Sequence, residues 1–323
     1  MRLSVPLLAY RALGLHPRLR WWLDSGLFGR DFAFAACLPL QCFLMSTTAS
    51  PIVPATRRIT LQTLREMKAR REPIAMLTAY DYLTAGILES AGAPVLLVGD
   101  SAATTVLGHD ATTQVTLEFL LTITEAVRRG AESVFLLGDM PFASYPDAAA
   151  AVGNAARFVR EARVDGVKLE ADARHATIVQ ALAAAGITVC AHVGLLPQRA
   201  AQQGGYRAQG RTTEEARRLV SDAVALGEAG AHLLLVEAVP DAVTAEIVAR
   251  TQVPVIGCGA GPSADGHVVV TYDMLGYNVH PPRFVEVLAD VPTVIGEAAG
   301  KYVAAVRERR YPGEAHQYRM KDR

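Results

Sequence analysis

From residue 59 onward, apolar and polar positions follow a repeating rhythm. Ile59 to Arg71 places Leu61, Leu64 and Met67 at three-residue spacing, which predicts an amphipathic helix. Short apolar runs then end in Gly or polar residues, each followed by a segment of helix length. The runs are Ile74–Tyr80, Pro94–Gly99, Val134–Gly138, Gly166–Leu169, Ile187–Ala191, His232–Val236, Val253–Gly257 and Val268–Tyr272. They are continuous, not alternating, which is the pattern of strands covered on both faces and therefore parallel. The segments between them, such as Glu118–Arg129, Ala148–Ala162, His175–Ala185 and Thr213–Ala229, are mostly Ala-rich. Eight strands alternating with helices predict a single α/β domain over 59–323, a (β/α)8 TIM-type barrel. A doubly wound open sheet is the competing architecture. It normally has a Gly-rich turn after its first strand, and Ala79-Tyr80-Asp81-Tyr82 is not one.

Residues 1–58 break the rhythm. They carry only two acids, Asp24 and Asp31, with several arginines, Trp21-Trp22 and the apolar run Phe32 to Met45. That run begins too late, directly after Arg30-Asp31, for a signal peptide. It is too short for a membrane span, which needs about 20 apolar residues. The arginine bias fits a transit peptide, but the apolar run does not. Residues 1–58 are expected to be an N-terminal extension outside the fold, with Met45 as the simplest biological start. That start leaves 323 − 44 = 279 residues, close to the roughly 250 typical of a barrel.

A hydrophobic fraction of 51% is ample for a core, and 32 basic against 32 acidic residues give zero formal charge. No nucleic acid or membrane partner is implied. Of the four cysteines, Cys37 and Cys42 stand close but lack a second pair to complete a zinc site. Cys190 and Cys258 lie in apolar runs. Reduced thiols and a cytoplasmic location are expected.

Barrel active sites lie where the strands end. The predicted ends carry Asp81, Asp100 with Ser101, Asp139, Lys168 with Glu170, His192, Glu237, the glycine-rich run 257–261, and Asp273. A single acid there is explained as well by capping the next helix. Six of eight ends with a carboxylate is a pattern, because converging acids repel unless a cation neutralises them. Oxygen donors of this kind suit Mg²⁺ or Mn²⁺. Lys168 and Glu170 share a strand face by their two-residue spacing; a structural ion pair is the alternative. His192 is either a satisfied polar group or a donor to a substrate carboxylate. The run Gly257–Gly261 fits an anion seat or only a tight turn. The long polar stretch Gly204–Arg211 fits a lid.

Nine motifs then fall in one order: VGDS at 98–101 with GHD at 108–110, DMPF at 139–142, KLE at 168–170, HVGLLPQ at 192–198, GGYRAQGR at 204–211, LLLVEAVP at 233–240, PVIGCGAG at 254–261 and YPGEAH at 311–316. From about Thr60 to His316 the chain closely resembles the ketopantoate hydroxymethyltransferase family. The resemblance implies a barrel of the phosphoenolpyruvate mutase/isocitrate lyase superfamily. It implies hydroxymethyl transfer from 5,10-methylenetetrahydrofolate to 3-methyl-2-oxobutanoate, giving 2-dehydropantoate for pantothenate and coenzyme A. It implies Mg²⁺ or a similar cation and a homo-oligomer, commonly a decamer.

By the same resemblance, Asp100, Asp139 and Glu170 are metal ligands, and Asp100, Ser101, Asp139, Lys168 and His192 line the oxo-acid. Glu237 is the general base. Removal of the C3 proton places charge on the C2 oxygen, which a cation stabilises. Ala102-Ala103-Thr104, Ala171-Asp172 and Leu196 depart from the family pattern beside these residues, which bears on pocket shape more than on reaction class. The competing readings are another metal-dependent lyase or mutase of the superfamily, or a non-catalytic barrel. Those lyases and mutases usually carry a reactive Cys in a charged loop, which Cys190 and Cys258 do not match.

Overall fold

The computed structural model describes residues 58–320. The extension, Met45, Cys37 and Cys42 lie outside the described residues, apart from Arg58.

Helix α1 (Leu61–Ala69) starts at Thr60, whose side chain accepts from the Thr63 backbone N–H. The strands follow as β1 (Ile74–Thr78), β2 (Val95–Val98), β3 (Phe135–Asp139), β4 (Gly166–Glu170), β5 (Val189–Gly194), β6 (Leu233–Glu237), β7 (Val255–Cys258) and β8 (Gly266–Val269). All pair in parallel, and β8 closes on β1 as the expected barrel. The remaining helices are α2 (Tyr82–Ser90), α3 (Ala102–Thr105), α4 (Leu117–Gly130), α5 (Ala148–Glu161), α6 (Ala176–Ala184), α7 (Thr213–Glu228), α8 (Asp241–Arg250), α9 (Thr271–Met274) and α10 (Val291–Arg307).

Alternation along the strands divides the core in two. One parity packs outward on the helices: Leu96 and Val98, Leu136, Val167 and Leu169, Leu234 and Val236. The other fills the barrel: Ile74 and Met76, Val95 and Leu97, Phe135 and Leu137, Leu233 and Leu235. Leu64 and Met67 of α1 join this interior cluster, so α1 covers the end where the strands begin. Each such side chain contributes roughly 1.5–3 kcal/mol by leaving water. With α1 packed over that end, the opposite end, where the strands finish, is the place to look for a ligand site.

The last strand departs from expectation. The apolar run Val268–Tyr272 is not the strand; β8 is Gly266–Val269, and Thr271 already begins α9. The Thr271 hydroxyl donates to the Thr78 carbonyl (2.6 Å), and its backbone N–H donates to Thr78 Oγ1 (3.0 Å). These bonds turn the chain off the barrel.

Candidate active site

The inward parity decides which side chains meet at the mouth. Asp139 follows Phe135 and Leu137 on β3, and Glu237 follows Leu233 and Leu235 on β6. His192 follows Cys190 on β5, while Lys168 and Glu170 share a face of β4. Strand register then sets Asp139 beside Lys168, Glu170 beside His192 and Gly194 beside Glu237. Asp100, Asp139, Lys168, Glu170 and His192 are all buried.

Their contacts form one network. Lys168 Nζ donates to both Asp139 oxygens, at 2.8 and 2.7 Å. The Asp100 backbone N–H donates to Asp139 Oδ2 at 2.9 Å, which fixes the turn after β2 to β3. Burial pulls the Lys168 pKa down, but Asp139, Asp100 and Glu170 together hold it well above the ordinary lysine value. Lys168 is therefore held as a cation, and its ion pair is with Asp139, where the two-residue spacing had suggested one with Glu170.

Gln198 belongs to the network without having been singled out from the sequence. It follows β5 in a 3₁₀ turn, Pro197–Arg199. Its backbone N–H donates to Glu170 Oε1 (2.9 Å), and its amide donates to Asp100 Oδ2 (2.9 Å) and the Met140 carbonyl (3.1 Å). The Tyr145 hydroxyl donates to Gln198 Oε1 at 2.6 Å. Tyr80 hydrogen-bonds Ser101 Oγ at 2.8 Å, and burial pushes its phenol up to about 12. The signal for Gln198 was its place in the HVGLLPQ motif; the two tyrosines gave none.

Among the described residues, no group of three or more His, Cys, Asp or Glu side chains is arranged as it stands to hold a metal ion. Lys168 and Gln198 hold oxygens of Asp139 and Asp100 instead. The donor chemistry still suits a hard divalent cation. Three buried carboxylates face one ammonium, and Glu170 Oε2 is buried with no hydrogen-bond partner. Burial pushes the Glu170 carboxyl up to about 8, the response of a carboxylate short of positive charge. Asp100, Asp139 and Glu170 could hold such an ion.

Glu237 is different from these acids. Its side chain keeps 17% exposure and comes within 3.2 Å of His192 Nε2, too obliquely for a hydrogen bond. Burial lowers the His192 pKa, so the imidazole is held neutral. Glu237 and Ser101 both line a cavity of about 970 Å³, bordered also by Tyr206, Arg207 and Arg211 of the expected lid.

Two strand-end acids play other parts. Asp81 caps α2, accepting from the Thr84 N–H at 2.9 Å. Asp273 lies in α9, where it accepts from Asn278 Nδ2 at 3.0 Å. In the glycine run, Gly259 has φ +62°, and a Cβ there would collide with the Phe284 ring. The buried Cys190 thiol is pushed up to about 12 by burial, and Cys258 is raised likewise. Neither is a ready nucleophile.

Residues 58–314 match the family model described as ketopantoate hydroxymethyltransferase. The 3-methyl-2-oxobutanoate hydroxymethyltransferase of Carboxydothermus hydrogenoformans is 44% identical over 268 residues, 81% of this chain and 96% of that enzyme. Its namesake from Thermus thermophilus is 44% identical over 262 residues, 81% of this chain and 100% of that enzyme. Among solved structures, a 2,3-dimethylmalate lyase of the PEP mutase/isocitrate lyase superfamily aligns with a TM-score of 0.51 at 16% identity. It covers 80% of this chain and 91% of its own. The phosphoenolpyruvate phosphomutase of Streptomyces platensis subsp. rosaceus aligns at 0.54 and 15% identity, over 80% of this chain and 92% of its own. These two share the fold.

Proposed function

This chain belongs to the ketopantoate hydroxymethyltransferase family, and on that premise we propose that it moves a hydroxymethyl group from 5,10-methylenetetrahydrofolate to 3-methyl-2-oxobutanoate through an enolate. The product is 2-dehydropantoate, on the route to pantothenate. The observation that carries the mechanism is the separation of roles among the acids. Asp100, Asp139 and Glu170 are buried and tied into one network, whereas Glu237, of these four, lines the cavity with its carboxylate partly exposed.

Glu237 takes the C3 proton of the oxo-acid. Ser101, Lys168 and His192 contact its oxygens, with Asp100 and Asp139 alongside. The neutral imidazole of His192 donates a hydrogen bond without adding a charge that would quench Glu237. Asp100, Asp139 and Glu170 would hold a divalent cation such as Mg²⁺. When bound, that ion supplies positive charge against the oxyanion that develops at C2. The enolate carbon then attacks the methylene carbon of the folate as one C–N bond opens and its nitrogen takes up a proton; water supplies the hydroxyl as the second C–N bond breaks, which releases tetrahydrofolate.

The same proposal takes residues 59–323 as one catalytic domain and residues 1–58 as an extension, in keeping with a family match that begins at residue 58. It takes the protein as a cytoplasmic homo-oligomer. In support, α10 has no buried residue and exposes Val294, Ile295 and Tyr302. Among the described residues no helix is long and apolar enough to cross a membrane.

The test is direct. Purified protein with Mg²⁺ and both substrates is expected to form 2-dehydropantoate, and with the oxo-acid alone to exchange its C3 hydrogen with D₂O. Glu237→Gln is expected to lower that exchange by about 10²–10⁴-fold. Undiminished exchange in the variant assigns the base elsewhere.

A further inference from the structure

Two sequence features remain without a part in the chemistry above: the stretch Gly204–Arg211 and the glycine run at 257–261. Both line the cavity of about 970 Å³ that also contains Glu237 and Ser101. That volume is far more than a five-carbon oxo-acid fills. Cavities for ligands of drug size span roughly 300–1,000 Å³. The mouth is therefore shaped for a second, larger molecule beside the oxo-acid.

Its lining has a specific chemistry. Arg207, Arg211 and Arg283 are exposed on it. None of the three makes a side-chain hydrogen bond or ion pair among the described residues. Some exposed arginines elsewhere on this barrel are paired, as Arg70 is with Glu66 and Glu72, Arg129 with Glu125 and Arg174 with Asp172, and others such as Arg217 and Arg307 are not; what sets these three apart is that they line one cavity. Three unpaired guanidiniums around one cavity are a receptor for carboxylates, which match the guanidinium fork. The cavity's own acids do not supply that match. Asp273 is buried and bonded to Asn278, Glu237 faces His192, and Asp110 is the remaining exposed one.

Phe284 adds a flat surface. Its ring lies where a side chain on residue 259 would sit, so only glycine leaves room, and the φ of +62° favours glycine as well. One face of the ring thus rests on the Gly259 backbone, and the residue remains 42% exposed on the cavity wall. An exposed aromatic face held on rigid backbone suits stacking of another planar ring.

We infer that this cavity seats the folate. Phe284 stacks on its aromatic rings, and Arg207, Arg211 and Arg283 receive the carboxylates of its glutamate tail. The inference rests on the hydroxymethyl transfer proposed above. It goes further in assigning the residues, and it implies that a longer, more anionic glutamate tail binds more tightly.

Three measurements on the full-length protein test it. First, C3 exchange of the oxo-acid in D₂O without folate reads the proposed base chemistry alone. It is expected to stay within about twofold of wild type in the triple variant Arg207→Gln, Arg211→Gln, Arg283→Gln, which also shows that the variant is folded. Second, KM for 5,10-methylenetetrahydrofolate is expected to rise about tenfold or more in that variant, as charge-assisted bonds are lost. Third, wild-type protein is compared with monoglutamyl, triglutamyl and glutamate-free tetrahydrofolate by equilibrium dialysis. Affinity is expected in the order triglutamyl, monoglutamyl, glutamate-free. Equal affinities, or an unchanged KM in the triple variant, overturn the inference even when exchange is normal. If wild type catalyses neither exchange nor transfer, the earlier proposal fails, and the dialysis still decides for or against the seat.

Discussion

Lys168 shows what one side chain must do at this mouth. Its ammonium sits against both oxygens of Asp139, which is only 1% exposed, and it is the cation of a network containing two further carboxylates. Replacing it with the similarly shaped but uncharged Met strands a buried carboxylate. Lys168→Met is expected to cost about 3–5 kcal/mol at pH 8, the usual penalty for breaking a buried pair from one side. The sign of the pH effect follows. Without its partner, buried Asp139 has a pKa raised above its unfolded value, so the neutral form is favoured in the fold. The deficit should therefore shrink as pH falls and Asp139 takes up a proton. Urea midpoints at pH 8 and pH 6 read this; an unchanged midpoint at pH 8 contradicts it. Lys168, like Asp139, Glu170, His192 and Glu237, was legible in the sequence because ionisable residues at the ends of apolar runs stand out. Gln198, Tyr80 and Tyr145 did not stand out. They are uncharged, they lie off the strands, and their roles depend on hydrogen bonds across the barrel that no local pattern encodes.

Strand register is what converts those residues into a site, and β5 against β6 is the clearest case. Gly194 pairs with Glu237, has φ +99°, and leaves no room for a Cβ, which would collide with the Glu237 carbonyl oxygen. Gly194→Ala is expected to cost about 1–3 kcal/mol in backbone strain. It should also lower the C3 exchange rate by shifting Glu237, since displacement by about 1 Å can cost 10²-fold. A stability loss with exchange intact would separate the strand from the base and reject this coupling. The eight strands themselves were legible as uninterrupted apolar runs. The eighth was placed too late because its first residue is Gly266, where only a glycine fits against the Ile74 carbonyl, and glycine reads as a breaker. By position alone Asp81 reads the same as Asp100; the family resemblance names only Asp100, and the structure shows Asp81 as a helix cap and Asp100 as a network member.

At the scale of the whole barrel, closure means that each seam between strands is shared by the stability of all of them. The seam between β5 and β6 opens on a histidine. The His232 backbone N–H donates to the Val189 carbonyl (2.8 Å), and the Val189 N–H donates back to His232 Nδ1 (3.2 Å). A nitrogen that accepts a hydrogen bond cannot also carry a proton, so this seam requires neutral imidazole. Burial lowers the His232 pKa, with Arg65 of α1 adding repulsion, and burial lowers that of His192. The unfolded chain takes up protons near the ordinary histidine value of about 6.5, while the fold resists them. The stability that neutral imidazole provides is therefore present above about pH 6.5 and is lost as pH falls toward the lowered folded values. His232 and His192 are expected to pull the melting temperature down between pH 7 and pH 5, against Glu170 and Asp139, whose carboxyls burial raises and which take up protons in the fold over the same range. His232→Asn keeps an acceptor near Val189 but cannot titrate, so its decline should be shallower by a fraction of one proton, since His232 is only half-buried. Parallel curves for the two proteins would place the acid sensitivity at His192 or elsewhere in the mouth, and not at the seam.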